Sequence, residues 1–287
     1  MIQNDLVGLR PLMDRTEGAP DVIVSVIDGP VWLDHPAFAG QRVREIGPGL
    51  RGECHIRTSI ACFHGTSVMG ILAARRGFGA PAICPGCSFV LRPIFAEVKK
   101  DNDPMPAATP EDLAAAITDS VSAGANVINL SASAALHSSR GDRQLEQALD
   151  HAAQRAVLVV AAAGNHGTVG SSAITYHPWV IPVIGCDQEG RPMGNSNLGS
   201  SIGRRGLAAP GEDVSIIGSD GKPGTLHGSS AAAAFVTGTI ALLWSEFPSS
   251  TAAQIKSAVT RTGERARTTI VPRLLDAWGA YLAMSLP

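Results

Sequence analysis

The chain has 287 residues, of which 45% are hydrophobic and 17% charged, and its formal net charge at pH 7 is −2. This composition is typical of a globular protein with a sizeable core, and the simplest organisation is one domain over residues 1–287. Because the chain has no basic stripe or polybasic run, its composition argues against binding to nucleic acid or to an anionic membrane surface.

Strand-like and helix-like patterns alternate along the chain. Apolar, β-branched runs predict strands at 22–27, 88–95, 127–130, 157–163, 180–184 and 214–217. Helical patterns, with start signals such as Thr109 and Thr251, predict helices at 64–74, 109–123, 144–153, 230–246, 251–262 and 273–284. This alternation predicts an α/β fold in which a parallel sheet carries helices on both faces.

The distribution of apolar residues bears on location. Residues 1–14 carry charges throughout and have no continuous apolar run, so they do not have the pattern of a secretory signal. The most apolar stretch, 230–244, is shorter than a membrane span and is interrupted by Thr237, Gly238 and Thr239. We therefore expect a cytoplasmic protein in which 230–244 forms a buried helix.

The chain has five cysteines, and an odd number in a chain of this size does not suggest a secreted disulfide scaffold. Cys84 and Cys87 form a Cys-x-x-Cys motif, but this motif precedes a strand-like run instead of opening a helix that would favour a thiolate. A zinc site would need a second such pair or two histidines. Reduced thiols or one local disulfide are therefore favoured over a metal or redox site.

Three residues that could take part in catalysis stand beside glycine or small residues: Asp28, His64 and Ser230. Asp28 follows a predicted strand, where it could hold an imidazole in one tautomer or could simply cap an Asp-Gly turn. His64 could accept a proton from a serine near neutral pH, or could be an ordinary histidine in the first turn of a helix. The order Asp-His-Ser is that of the subtilisin arrangement, which favours a serine peptidase.

In this interpretation Ser230 is the nucleophile and Asn165 a donor to the oxyanion. Ser230 begins a helix rich in small residues, whose N–H groups could stabilise a developing negative charge. The alternative is that Ser229 or Ser230 only caps that helix. Asn165 follows a predicted strand and Gly164, so its side-chain amide could donate to a tetrahedral oxyanion or could serve only a turn.

Several short segments carry a resemblance to a known family. They are 26–29, 64–70, 127–131, 161–165, 209–211 and 228–232. In these segments, and over nearly its whole length, the chain resembles the subtilisin-like serine peptidases, or subtilases. The resemblance implies a three-layer α/β/α subtilisin-like fold with a mainly parallel central sheet.

The resemblance also implies roles for individual residues. Asp28, His64 and Ser230 would form the catalytic triad, and Asn165 and the Ser230 backbone N–H would stabilise the oxyanion. A peptide or precursor-protein substrate would bind as an added strand. The substrate-binding residues implied are Ser131, Ala132, Ser133, Ala162, Ala163 and Gly164. No cofactor is implied, and because the calcium-binding loops of secreted members are not recognisable, no metal is expected.

The chain resembles one branch of the family more closely, the peptidases that mature cyanobactins. Segments 28–31, 34–36 and 92–95 carry this resemblance. It implies cleavage of a ribosomally made precursor peptide inside the producing cell. Because no large insertion before Ser230 could shield an acyl-enzyme from water, hydrolysis is expected and macrocyclisation is not.

Two alternatives stand beside a precursor-processing peptidase. Ala234 and Phe235 replace a proline and a histidine that the family usually has, and Ala132 and Ser133 stand where glycines are usual. These departures bear on how a substrate binds, and the altered surroundings of Ser230 would suit a catalytically silent subtilase fold that only binds peptides or a partner enzyme. The other alternative is a general intracellular peptidase that degrades many proteins.

Overall fold

A parallel sheet of eight strands forms the middle layer of the structure, a computed structural model that describes residues 2–49, 52–97, 108–131, 140–263 and 269–286. The strands of the described chain are β1 (Ile23–Asp28), β2 (Arg42–Glu45), β3 (Ser88–Pro93), β4 (Val127–Leu130), β5 (Leu158–Ala162), β6 (Val180–Cys186), β7 (Leu207–Pro210), β8 (Val214–Ile217), β9 (Pro223–Leu226) and β10 (Arg273–Leu274). The order across the sheet is β10-β7-β6-β5-β4-β1-β3-β2, with parallel pairing between neighbours. Strands β8 and β9 form a separate antiparallel hairpin.

Helices cover both faces of this sheet. They are α1 (Ile2–Leu6), α2 (Leu9–Arg15), α3 (Ile60–Ala73), α4 (Pro110–Ser122), α5 (Arg140–Gln154), α6 (Ala173–Tyr176), α7 (Ser200–Arg205), α8 (Ser229–Glu246), α9 (Ala252–Arg261) and α10 (Ala277–Ser285). Helices α3 and α8 pack on one face with side chains such as Val24 and Val160, whereas α4 and α5 pack on the other with Ile128 and Val159. The predicted three-layer α/β/α fold is confirmed.

The sequences of the central elements explain this layering. Every residue of β4, β5 and β6 is buried, as expected of parallel strands that helices cover on both faces. The polar exception in β4 is Asn129, which hydrogen bonds to the hydroxyls of Ser131 and Thr237. Helix α8 is buried from Ser229 to Trp244, and its small side chains let it lie close to the sheet. Within the described ranges no helix is both long enough and apolar enough to cross a bilayer.

The strand order indicates where a binding site should lie. On one side of β1 lie β3 and β2, whereas β4, β5, β6, β7 and β10 lie on the other side. In open parallel sheets such a switch point leaves a crevice at the carboxyl ends of the strands. Asp28 ends β1 and Ser131 follows β4, and the register pairs Ile27 with Leu130. Asp28 and Ser131 therefore lie level with each other at this edge.

The start of α3 differs from its predicted position. The helix begins at Ile60, because the side chain of Ser59 caps it by accepting a hydrogen bond from Cys62 N at 3.1 Å. His64 consequently lies in the second turn of α3 and not in the first, so the expected first-turn position was wrong.

The predicted helix at 273–284 was also wrong in its first part. Residues Arg273–Leu274 pair in parallel with β7 as the edge strand β10, and α10 begins only after Asp276. The Asp276 side chain accepts a hydrogen bond from Gly279 N at 2.8 Å, which sets the start of the helix. The sequence patterns did not predict β2, α1 or α2.

Cys84 and Cys87 are both free thiols and both are buried in the core. Their free state agrees with the expectation of reduced thiols at this motif.

Candidate active site

Asp28 and His64 form a direct hydrogen bond at the carboxyl edge of the sheet. Nδ1 of His64 lies 2.6 Å from Oδ1 of Asp28, and the same oxygen accepts a hydrogen bond from Gly29 N at 2.6 Å. The side chain of Asp28 is fully buried, whereas 15% of the His64 side chain is exposed. Because a carboxylate only accepts hydrogen bonds, it keeps the proton of a neutral imidazole on Nδ1 and leaves Nε2 free to take a proton.

Two glycines let α3 approach the end of β1 closely enough for this hydrogen bond. A Cβ atom at Gly65 would collide with the main-chain oxygen of Gly29, and a Cβ atom at Gly29 would collide with that of Ala61. A side chain at either position would push α3 away from the strand, and His64 away from Asp28. The close approach accounts for the glycine that follows each of these two residues in the sequence.

The Asp28 carboxylate governs the pKa of His64. Burial by itself lowers this pKa, because it disfavours the charged imidazolium, but the negative charge of Asp28 and its hydrogen bond raise it. The net result is a His64 pKa above the ordinary value of 6.5. A more basic imidazole is better able to remove a proton from a neighbouring hydroxyl.

Ser230 lies in the first turn of α8, next to the same edge of the sheet. Its Oγ donates a hydrogen bond to the main-chain oxygen of Ser131 at 3.3 Å, and Ser131 N in turn donates to Ile27 O. Ser230 therefore lies next to the end of β4, the strand that neighbours β1 and its terminal Asp28. Among the hydrogen bonds of the described residues, none joins Ser230 Oγ to the ring of His64.

Asn165 directs its carboxamide toward the start of α8. Its Oδ1 accepts a hydrogen bond from Ser229 N at 2.8 Å, which leaves Nδ2 as a donor. A Cβ atom at Gly228 would come within 2.6 Å of that Nδ2, so the donor lies beside the residue that precedes the helix. Asn165 is exposed, and the Ser230 N–H belongs to a first helical turn, where N–H groups lack intrahelical acceptors. Nδ2 of Asn165 and the Ser230 N–H are both donors, of a kind that can stabilise a negatively charged oxygen.

Ser229 forms two hydrogen bonds with the loop that carries Asn165, a role that the sequence did not predict. Its Oγ accepts a hydrogen bond from Gly164 N at 3.1 Å, while its own N–H binds Asn165. The sequence offered no local signal for this contact, since Gly164 and Ser229 are 65 positions apart.

The predicted substrate-binding residues that the structure describes lie together at this edge. Ser131 follows β4, and Ala162, Ala163 and Gly164 lie at and just after the end of β5, and all of them are buried. The register pairs Leu130 with Ala161, so the ends of the two strands are level. The other two predicted residues, Ala132 and Ser133, lie outside the described part of the chain.

A disulfide bond lies close to His64 on α3. It joins Cys54, in the preceding loop, to Cys62, in the first turn of the helix. The two sulfurs and a carboxylate oxygen of Glu97 lie within 4.8 Å of one another, a grouping that could hold a metal ion if the thiols were reduced. Because both sulfurs take part in the disulfide, the structure shows a covalent link between loop and helix and no thiolate ligands.

Sequence comparison relates the chain to known peptidases. A sequence profile described as Subtilase family matches residues 19–276. Fervidolysin from Fervidobacterium pennivorans is 30% identical over 301 residues, which cover 91% of this chain and 40% of that protein. The chain spans about half the length of the curated relatives it matches.

Two solved protease structures share the fold. A serine-to-alanine mutant of the protease domain of PatA superposes with a TM-score of 0.83 at 29% identity, covering 93% of this chain and 96% of that chain. The prenylagaramide maturation protease PagA superposes with a TM-score of 0.81 at 27% identity, covering 97% of this chain and 99% of that chain. The likeness therefore extends over almost the whole chain and is not confined to short motifs.

Proposed function

Because this chain belongs to the subtilase family, we propose that it is a serine endopeptidase in which Asp28, His64 and Ser230 form the catalytic triad. The observation that carries the proposal is the 2.6 Å hydrogen bond between the buried Asp28 carboxylate and His64, at the edge of the sheet where Ser230 also lies. A carboxylate-bound imidazole near a serine at a helix N-terminus is an arrangement that can activate the hydroxyl.

In the proposed acylation step Ser230 is the nucleophile. Its Oγ exchanges the hydrogen bond to Ser131 O for one to Nε2 of His64, gives its proton to Nε2 and attacks the carbonyl carbon of the scissile bond. Asp28 stabilises the imidazolium that forms. The oxyanion accepts hydrogen bonds from Nδ2 of Asn165 and from the Ser230 N–H. His64 then protonates the leaving amine, the carbon–nitrogen bond breaks, and the acyl group remains on Ser230.

Deacylation repeats these roles with water. His64 takes a proton from the water molecule, the hydroxide oxygen attacks the acyl carbon, and the proton passes to Ser230 Oγ as the ester bond breaks. The net reaction adds one water molecule across one peptide bond.

We place the substrate along the ends of β4 and β5. An extended peptide can form main-chain hydrogen bonds with the segments that follow these strands, at Ser131–Ser133 on one side and Ala162–Gly164 on the other. These segments contain only serine, alanine and glycine, so they bring no bulky side chain of their own against such pairing. A substrate that binds in this way has to be extended over several residues, a condition that an unstructured precursor peptide meets.

The finer part of the proposal is that the substrate is a ribosomally made precursor peptide of a natural product, cut in the cytoplasm. The likeness to the PatA protease domain and to the prenylagaramide maturation protease supports it, since both share the fold with 27–29% identity over more than nine tenths of this chain. The segments 28–31 and 92–95, which resemble the cyanobactin-maturing branch, support it as well.

A competing function is peptide binding without catalysis. Two observations favour it. Ser230 Oγ is hydrogen bonded to Ser131 O, and Ala234 and Phe235 stand where the family usually has a proline and a histidine. The two functions differ in whether Ser230 becomes covalently labelled by an organophosphonate probe, which needs an activated hydroxyl.

The test incubates the wild-type protein with libraries of precursor peptides and reads the products by mass spectrometry. Cleavage at defined bonds, lost in Ser230→Ala by a factor on the order of 10⁶ in kcat, is expected, a magnitude known for subtilisin itself. Ser245→Ala, which removes a hydroxyl from the far end of the same helix, serves as the matched control and should keep activity. Cleavage by Ser230→Ala at the wild-type rate would overturn the assignment, and products cut in random positions from any unfolded protein would favour a degradative peptidase.

A further inference from the structure

Asn197, which no sequence motif had singled out, contacts the 163–170 loop at four places. Its side-chain Oδ1 accepts hydrogen bonds from His166 N at 2.9 Å and from Thr168 N at 3.2 Å. Its Nδ2 donates to Ala163 O at 3.0 Å, and its backbone N donates to Gly164 O at 3.0 Å. Asn197 therefore forms hydrogen bonds with main-chain groups on both sides of Asn165.

The chain around Asn197 runs beside the same loop and adds main-chain contacts. Gly167 N donates to Asn195 O, Leu198 N to Thr168 O, and Gly170 N to Leu198 O, each at 2.8–2.9 Å. These hydrogen bonds join the outer part of the loop, residues 167–170, to residues 195–198. The inner part of the loop, nearer to the sheet, is held by the Asn197 side chain.

The residue at the centre of these contacts is Asn165. Asn165 itself is exposed, and among the described residues the hydrogen bond of its side chain is the one that Oδ1 accepts from Ser229 N. The direction of its free Nδ2 therefore depends on where the backbone at 164–166 is placed. That backbone is fixed from the α8 side by Ser229 and from the opposite side by Asn197.

We propose that Asn197 is a positioning residue that holds the loop so that Nδ2 of Asn165 faces the reacting carbonyl oxygen. This inference rests on the proposed peptidase function and names a determinant of its rate. Loss of the Asn197 carboxamide leaves Ala163 O, His166 N and Thr168 N without their hydrogen-bond partners. The loop then moves, and a misplacement of about 1 Å at a donor lowers the rate by roughly 10²-fold.

A double-mutant cycle tests this role, because Asn197 is argued to act through Asn165. Asn165→Ala should lower kcat by about 10²–10³-fold, the loss known for removal of an oxyanion donor in subtilisin. Asn197→Ala should lower kcat by roughly 10–10²-fold with KM changed by less than about threefold, because the substrate's other contacts remain. In the Asn165→Ala background, Asn197→Ala should lower kcat by less than about threefold further, since the donor it positions is gone.

The rate of covalent labelling by a fluorophosphonate gives a second readout that needs no known substrate. In this reaction Ser230 Oγ bonds to phosphorus, fluoride leaves, and the hydroxyl proton passes to His64. Asn126→Ala is the matched control. Asn126 is half-buried like Asn197 and binds a main-chain N–H, that of Ile23 at 2.7 Å, but it lies at the opposite end of the sheet. It should lose stability and keep the wild-type labelling rate.

The outcomes separate this inference from the proposed function. Two outcomes would overturn the positioning role alone, provided that Ser230→Ala is not labelled. One is that the losses of kcat in Asn197→Ala and Asn165→Ala are additive in the double variant. The other is that folded Asn197→Ala is labelled at the wild-type rate. Labelling of Ser230→Ala as fast as that of the wild type would remove the proposed function and this inference with it. Thermal unfolding of each variant shows whether a lost rate reflects lost folding, and a rate loss in Asn126→Ala as large as in Asn197→Ala would show a general effect of stability.

Discussion

Substitution of Gly228 by alanine tests whether Asn165 supplies an oxyanion donor. A Cβ atom at Gly228 would lie 2.6 Å from Asn165 Nδ2, so the carboxamide would have to move by about 0.8 Å or more to reach ordinary van der Waals separation. The substitution also forces alanine into a backbone conformation with φ 115° and ψ −177°, a region that is essentially confined to glycine and costs other residues roughly 1–3 kcal/mol. Gly228→Ala should therefore lose stability and also displace Nδ2 from its place beside α8.

The displacement sets the expected loss of rate. A shift of about this size is enough for a loss of roughly 10²-fold in kcat, and complete loss of the donor would limit the effect to about 10²–10³-fold. KM should change little, because Nδ2 binds the oxyanion far more strongly than the ground-state carbonyl oxygen. Steady-state kinetics on a cleaved precursor peptide, together with thermal unfolding, measures both effects.

Gly40→Ala is the matched control for backbone strain. Gly40 also has a positive φ, of 81°, but a Cβ atom there would meet nothing within 4 Å. Gly40→Ala should also lose stability through backbone strain, but it should keep the wild-type kcat. A folded Gly228→Ala protein whose kcat stays within about threefold of the wild type would refute the assignment of Asn165, because the donor would then be dispensable.

Two further predictions follow from the pair Asp28–His64 and from the disulfide. Values of kcat/KM should rise with pH as His64 loses its proton, because only the neutral imidazole can take the proton of Ser230. The midpoint of this rise should lie above pH 6.5, because Asp28 raises the pKa of His64. A pH–rate profile with its midpoint below 6.5 would contradict this pairing. Reduction of the Cys54–Cys62 bond, whose cysteines are 8 positions apart, should lower the free energy of unfolding by about 2.5 kcal/mol through the entropy of the freed loop. Denaturant titrations with and without a dithiol reductant measure this loss. The Cys54→Ser, Cys62→Ser double variant, which has no such bond, should not respond to the reductant, and an equal loss on adding reductant to that variant would show that the disulfide is not the cause.

Local signals in the sequence predicted the elements that depend on local chemistry. The bounds of β4 and β8 are those of the mainly apolar runs at 127–130 and 214–217. Thr109 and Thr251 both form the capping boxes that their spacing to Asp112 and Gln254 indicates, because all the partners lie within one helical turn.

Elements that depend on distant partners were missed or misplaced. The edge strand β2 is mostly exposed and consists of three charged residues and one valine. It therefore has no apolar run from which a strand could be predicted. Strand β10 consists of two residues that are strands only because β7 offers them hydrogen bonds. The pairing of Cys54 with Cys62 could not be chosen among five cysteines from spacing alone.

For the candidate site, the sequence by itself determined which groups are available: a carboxylate after a strand, an imidazole on a helix, and a hydroxyl at a helix N-terminus, each beside glycine or small residues. Only the tertiary structure decided that Asp28 binds His64 Nδ1, and that Ser229 and Asn197 hold the loop of Asn165. The physical reason is the separation along the sequence over which each kind of interaction acts. The periodicity of apolar residues and the caps of helices involve residues within a few positions of each other. These hydrogen bonds join groups 29–65 positions apart, and they form only once the parallel sheet has brought the ends of its strands to one edge.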